Sequence, residues 1–517
     1  MRWSIAVLLA ATLAAGAASA DENPWFAAGR EAVQRARGLR PDERPAKNVI
    51  LFLGDGMGLS TVTAARILEG QLRGERGEEN WLAFERLPHV SLVKTYNTNQ
   101  QTPDSAGTMT AIVTGSKTRA GVIGVDERVA RGDAAGVAGH ELRTLFETAE
   151  QRGVSTGIVT TTRVSHATPA GVYGHSPERG WEDDASLSEA ARDIDFPDLT
   201  RQLVEWPYGD GLDVVLGGGR RTFLPRRSKD PEQPGVTGSR RDGRDLIAEW
   251  LARRPGSVYV WNRAGFDAVP ESTSRLLGLF EPDHMKFEHD RSGDIAGEPS
   301  LAEMTSKAIG ILSRNPKGFL LLVEGGRIDH AHHLGNAYRA LTDTIAFSDA
   351  VRAALERTDP DETLIVVTAD HGHVLSIAGY PTRGNPILGQ VVSNDERGEP
   401  QAVPAPDDNG RPYTTLGYQN GPGWQEPRPD AGPVDTTAPD YRQAAAVYMR
   451  AETHSGEDVP VYAGGPGSYL FQGVQEQSYL YHALVEALGW GREAPPESKG
   501  GEPAASSSGP APERSDR

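Results

Sequence analysis

The segment "LLVEGGRIDHAHHLG", Leu321 to Gly335, sets two carboxylates, one arginine and three histidines directly behind an apolar run. Three of the chain's 13 histidines fall within four positions here. Such a cluster is either a buried ion-pair network or a metal site, and the rest of the chain has to separate the two. Two further apolar runs end in similar chemistry. Val49 to Leu53 breaks at Gly54-Asp55-Gly56, and Leu364 to Val367 leads into Asp370-His371-Gly372. In parallel sheets, ligands sit outside the carboxyl ends of the strands. Asp55, Glu324 and Asp370 are therefore expected to converge on one crevice.

Convergent acids repel. Two carboxylates about 4 Å apart cost about 4 kcal/mol at an effective dielectric of 20. Several such pairs would cancel much of a typical folding stability of roughly 5–15 kcal/mol. Arg327 alone does not balance them, so the pattern calls for a bound cation. The segment from about Arg327 reads as a helix, which puts Asp329 and His333, at i and i+4, on one face as two ligands of one ion. His330 lies roughly a hundred degrees round from Asp329, toward the same pocket but not the same ion. His332 points elsewhere, in a structural role. Mixed carboxylate and imidazole ligation suits zinc, whereas all-oxygen sites suit magnesium or calcium.

The elements that must position these groups follow from the pattern. Short Val/Ile/Leu runs, including a weaker one in "STGIVTTTRVSHATP", alternate with helical stretches at 298–313 and 336–356. This predicts an α/β fold: a three-layer sandwich with a mostly parallel central sheet and helices on both faces. The Gly-, Pro-, Asp- and Asn-rich stretch 382–439 reads as a loop-rich inserted subdomain. Residues 1–20 read as a signal peptide cut near Ala20, and 21–490 as the catalytic domain. Residues 491–517, rich in Pro, Ser and Gly, read as a disordered tail. No later segment is apolar enough to span a membrane. A net charge of −18 and the absence of cysteine argue against a nucleic-acid partner and against disulfide stapling. The expected location is secreted or periplasmic.

In "TPDSAGTMTA", Asp104-Ser105 stands where a helix should begin. Asp104 suits an N-cap, and Ser105 beside the positive helix end suits an attacking group that meets a phosphate.

The ordered motifs "GDGMG", "PDSAGT", "TTTRVSHATPAG", "VEGGRIDHAHH", "TADHGH" and "ETHSGEDV" resemble the alkaline phosphatase family, closest to its animal-type branch. The resemblance runs from about Asn23 to Leu488. It implies a two-zinc, one-magnesium phosphomonoesterase with a phosphoserine intermediate on Ser105. Asp329, His333 and His454 match the ligands of one zinc, and Asp370, His371 and Asp55 those of the second. Asp55, Thr168 and Glu324 match the magnesium site, with His166 behind it. Arg179, in "HSPERGW", matches the phosphate clamp, where a planar guanidinium holds two oxygens at once, and His330 also faces the reacting phosphate. An additional calcium site would map to Glu232, the Phe280 carbonyl, Glu281 and Glu298. Substrates would be small phosphate monoesters, with inorganic phosphate as product. A homodimer is implied, and an amphipathic helix from Asn23 to Arg37 would cross to the partner. A phosphodiesterase or sulfatase of the same superfamily would share the zinc ligands, but Ser105 and Arg179 argue for monoesters. A phosphate-binding protein with a dead site would have lost a ligand or the nucleophile, and none is missing.

Overall fold

The computed structural model describes residues 23–426 and 434–492. The expected signal peptide lies outside the described residues, as does the expected tail apart from residues 491 and 492. The chain divides into two compact units, residues 1–41 and 42–517. In the first, the helix Pro24–Gly38 starts on Asn23, whose side chain accepts from the Trp25 N–H, with Pro24 at the first helical position. Its lack of an N–H costs nothing there.

The second unit is built on fifteen strands among the described residues. In chain order they are β1 (Asn48–Gly54), β2 (His89–Lys94), β3 (Ser155–Arg163), β4 (Val214–Gly218) and β5 (Ser257–Val260). Next come β6 (Arg275–Leu279), β7 (Phe319–Gly325), β8 (Thr363–Ala369), β9 (Gly372–His373) and β10 (Leu375–Ile377). The last five are β11 (Leu416–Gly421), β12 (Ala445–Tyr448), β13 (His454–Ser455), β14 (Val459–Gly464) and β15 (Gly473–Glu476). Ten of them form one sheet in the order β15-β2-β14-β8-β1-β7-β3-β4-β6-β5. All neighbours pair in parallel except β14, which runs antiparallel to both β2 and β8.

Every residue of β1, β7 and β8 is buried, so both faces of the sheet's centre are covered. That is why these strands read as unbroken apolar runs and not as alternating ones. Their register sets the site. Leu53 pairs with Glu324, and Gly54 with both Gly325 and Ala369, so Asp55, Glu324 and Asp370 emerge at one level.

The two helical stretches expected from the pattern form as Leu301–Leu312 and Ala337–Arg357. The stretch 382–439 contributes β11 to a small sheet, β10-β11-β12. Its buried Ile387, Leu388, Leu416 and Tyr418 join the main core.

Candidate active site

Asp55 leaves β1 on a turn that only glycine tolerates. Gly56 has φ +70°, and a Cβ there would lie 2.4 Å from the His373 ring. Its N–H donates to Asp370 Oδ1 at 3.0 Å, and the His371 N–H donates to the same oxygen at 2.9 Å. Asp55, Asp370 and His371 are fully buried, and their ligand atoms lie within 4.8 Å of one another. Burial first, then Asp370, pushes the Asp55 carboxyl well above the usual range. Burial also raises Asp370, against the opposing hydrogen bond from Gly56. Burial and the nearby His454 push His371 well down. Two acids and a neutral imidazole thus face one point with no lysine or arginine between them among the described residues, a setting that suits a divalent cation.

A second group forms where the helix Arg327–His333 follows β7. The helix begins at Gly326, whose place admits no side chain, since a Cβ would lie 2.3 Å from Thr162 Cγ2. One turn later Asp329 Oδ1 and His333 Nε2 are 3.3 Å apart. His454, carried in by β13, brings its Nε2 to 3.2 Å from both Asp329 Oδ1 and His333 Nε2. The other nitrogen of each ring faces a carbonyl: His333 Nδ1 the Glu452 oxygen at 2.6 Å, His454 Nδ1 the Pro103 oxygen at 2.8 Å. With Nδ1 donating, both Nε2 atoms present lone pairs to each other. Such a pair needs a shared proton or a bound cation between the rings, and Asp329 beside it favours either positive charge.

Burial alone would raise Asp329, but the imidazoles of His333, His373 and His454 outweigh it and hold the carboxyl well below its ordinary value. His332 turns away, as expected, between Thr61 Oγ1 at 3.0 Å and the Tyr418 hydroxyl at 2.9 Å.

A third group shares Asp55. Asp55, His166 and Glu324 bring ligand atoms within 4.8 Å of one another. Four buried atoms here lack any protein hydrogen-bond partner: Asp55 Oδ2, His166 Nδ1, Thr168 Oγ1 and Glu324 Oε1. Unmet buried polar atoms are rare in folded proteins, and these lie on the residues that the family resemblance groups around one ion. Glu324 Oε2 is instead satisfied by the Thr160 and Thr162 hydroxyls. Burial still pushes the Glu324 carboxyl up to about 7. His166 is held well down by burial and by Arg179.

Ser105 opens the helix Ser105–Thr114, which is capped by the Asp104 side chain accepting from the Gly107 N–H at 3.1 Å. Its hydroxyl lies 3.2 Å from His371 Nε2 and 3.5 Å from Asp55 Oδ1. Arg179 reaches the same corner, with Nη1 3.1 Å from Asp104 Oδ2 and Nη2 3.3 Å from His166 Nε2. His330 is in none of these groups but borders the third, its ring centroid 5.5 Å from His166 and 4.3 Å from His284. Burial and Arg327 push it down to about 3, so it is neutral.

The expected calcium ligands are only partly brought together. Glu232 and Glu281 cluster with Asp294 within 4.8 Å, and Glu298 is not in that group. Glu298 Oε1 accepts the Lys286 N–H at 2.9 Å, while its Oε2 is buried without a hydrogen-bond partner, and burial and Glu281 push its carboxyl up to about 9. Asp294, four residues before Glu298, joins Glu232 and Glu281 in that group, and the aperiodic loop that carries it gives the sequence no rule for picking it out.

Two further residues escaped the sequence reading. His373 shares the Asp329 group, its Nε2 2.9 Å from Asp329 Oδ1 and its Nδ1 2.6 Å from Glu452 Oε2. Its spacing from His371 offered a signal, since residues i and i+2 on extended chain share a side. Glu452 opens the motif "ETHSGEDV" two residues before His454, but nothing in the motif assigns it a role.

A family model described as alkaline phosphatase matches residues 46–490. The chain is 44% identical to the tissue-nonspecific alkaline phosphatase of Gallus gallus over 478 residues, covering 90% of this chain and 89% of that one. It is 43% identical to the alkaline phosphatase of Gadus morhua over 455 residues, covering 86% and 92%. Among solved structures, the alkaline phosphatase of Thermus thermophilus superposes with a TM-score of 0.61 at 26% identity, covering 90% of this chain and 96% of that one. Buried acids and imidazoles at the strand ends, a serine among them, and relatives matched along nearly their whole length all lead to one conclusion: the chain belongs to the alkaline phosphatase family, hydrolases of phosphate monoesters.

Proposed function

We propose that this enzyme transfers the phosphoryl group of small monoesters to Ser105 and then to water, using two zinc ions and one magnesium ion. One observation carries the reading. The Ser105 hydroxyl lies within 3.5 Å of both Asp55 and His371, where buried acids and imidazoles converge in three groups of metal-ligand type. Asp329, His333 and His454 would hold one zinc; Asp55, Asp370 and His371 the other. The imidazole and carboxylate donors fit that ion. Asp55, Thr168 and Glu324, each with one oxygen that lacks a protein partner, would hold magnesium, with His166 behind them.

When bound, the zinc pair supplies charge neutralisation and lowers the pKa of the attacking hydroxyl. The chain's own residues do the rest. The Ser105 Oγ is aimed from a helix N-terminus, so nearby backbone N–H groups favour the incoming anion. Arg179 holds two phosphoryl oxygens, and its pairing with Asp104 fixes the guanidinium beside the serine. His330, neutral and close by, adds no charge that would retain the product.

The same reading includes a calcium ion at Glu232, Glu281 and Asp294. Asp294 Oδ2 is buried without a hydrogen-bond partner, and three carboxylates suit a hard cation. It also includes export through the N-terminal leader. A homodimer completes it: Trp25, Phe26 and Val33 of the first helix are exposed and would be covered by a partner.

The test compares a monoester with a diester in native protein and Arg179→Ala. A diester has one charged oxygen fewer to clamp, so the variant should lose more on the monoester, by tenfold or more. Equal losses would favour a diesterase.

A further inference from the structure

Glu452 lies in the turn between β12 and β13, 1% exposed, and every polar group it has is engaged at the Asp329 site. Its Oε2 faces His373 Nδ1 at 2.6 Å, and its Oε1 accepts the Val374 N–H at 2.8 Å. Its backbone N–H donates to the His333 carbonyl at 3.0 Å, and its own carbonyl faces His333 Nδ1 at 2.6 Å. His373 passes the contact on, its Nε2 2.9 Å from Asp329 Oδ1. Two residues further along the chain, His454 pairs with His373 across the β9–β13 ladder.

We propose that Glu452 is the positioning residue for the zinc held by Asp329, His333 and His454. This rests on the metal reading above and goes beyond it. All three ligands trace back to this one residue. It fixes the His333 tautomer through its carbonyl, so Nε2 keeps the lone pair that binds metal. It fixes Asp329 through the His373 ring, which is clamped at both nitrogens. A clamped His373 is a prop and not a fourth ligand, although its ring lies within reach of the group. Three protein ligands with one open position is the arrangement a catalytic zinc needs, because the reacting molecule takes the fourth place. Outer partners that hold ligands in this way affect metal affinity by about 10–100-fold.

The experiment strips the full-length protein of zinc and titrates zinc back against a competing chelator, for native protein and for Glu452→Gln. Glutamine keeps the size and the backbone contact to His333, but its amide cannot accept from both His373 and Val374. One of the two zinc sites should weaken by about 10–100-fold while the other stays within about threefold. His373→Gln serves as a second variant and should weaken the same site, which keeps the test open if the first does not fold. Unchanged zinc binding would overturn the inference, as would equal weakening of both sites. Tighter binding would overturn it too, because His373 would then have become a ligand once released. Failure of the native protein to bind zinc at all would instead remove the metal reading.

Discussion

The molecule holds two clusters of converging acids, and they are neutralised in different ways. At the ends of β1, β7 and β8, Asp55, Glu324, Asp329 and Asp370 meet with imidazoles but, among the described residues, with no ammonium or guanidinium in their midst. Arg179 is turned toward Asp104 and His166, and Arg327 toward His330. At the second cluster, cations are already built in. Lys286 Nζ lies 2.7 Å from Glu281 Oε1, and Arg220 Nη2 lies 3.0 Å from Glu232 Oε2. The first cluster is therefore incomplete without ions, whereas the second is partly satisfied by the chain itself. The supporting elements differ as well. The first hangs on strand ends locked in register; the second hangs partly on the loop that carries Asp294.

The largest effect that follows is catalytic and confined to the first cluster. Ser105→Ala should reduce monoester turnover by several orders of magnitude, as loss of a nucleophile commonly does, and should abolish covalent phosphate labelling. Zinc content should be unchanged, since Ser105 is not among the carboxylate and imidazole donors. Near-normal turnover would remove the phosphoserine mechanism. Substitutions of Glu232 or Asp294 should leave labelling intact.

Metal removal should separate the clusters by stability. A tightly bound ion contributes RT ln(1 + [M]/Kd), about 4 kcal/mol at a thousandfold excess over Kd, so stripping zinc and magnesium should lower the melting temperature by several degrees. The stripped protein should also respond to pH in a definite direction. Burial raises the Glu324 carboxyl from an ordinary 4.5 to about 7. Asp55 and Asp370 are raised as well. Between the unfolded and folded values the folded state binds more protons, so its stability is greatest at low pH and falls as pH rises through the folded value. Melting temperature should therefore drop between about pH 4.5 and 7 in stripped protein by more than in loaded protein. Parallel curves would contradict the convergence of these acids.

The smallest effect belongs to the second cluster. Lys286→Gln removes an internal cation from Glu281, so added calcium should raise the melting temperature more in the variant than in native protein. The difference should be a degree or two, because the lysine is half-exposed and its ion pair is worth little. No calcium response in either protein would mean that the cluster holds no such ion.

The contrast also marks what was legible in the sequence. β1, β7 and β8 were readable because strands buried on both faces are continuous apolar runs, and their ends carry the acids. Asp329 and His333 were readable from helical spacing alone. His454 was not, for nothing local links it to residues more than a hundred positions earlier, and only the family motif placed it. Asp294 was missed because an aperiodic loop gives no rule for which acid points inward. Glu452 lay inside a quoted motif but was given no role, because its role is made of contacts with distant segments that spacing does not show. Groups on regular elements announce themselves by period; groups that act through tertiary contact do not.

The central claim is that the first cluster works only when filled. Its most direct test is to strip the protein, add zinc in steps at saturating magnesium, and follow hydrolysis of a chromogenic phosphate monoester. Activity should rise from background and level off at two zinc ions per chain. Full activity in protein shown by elemental analysis to be free of zinc would contradict the account.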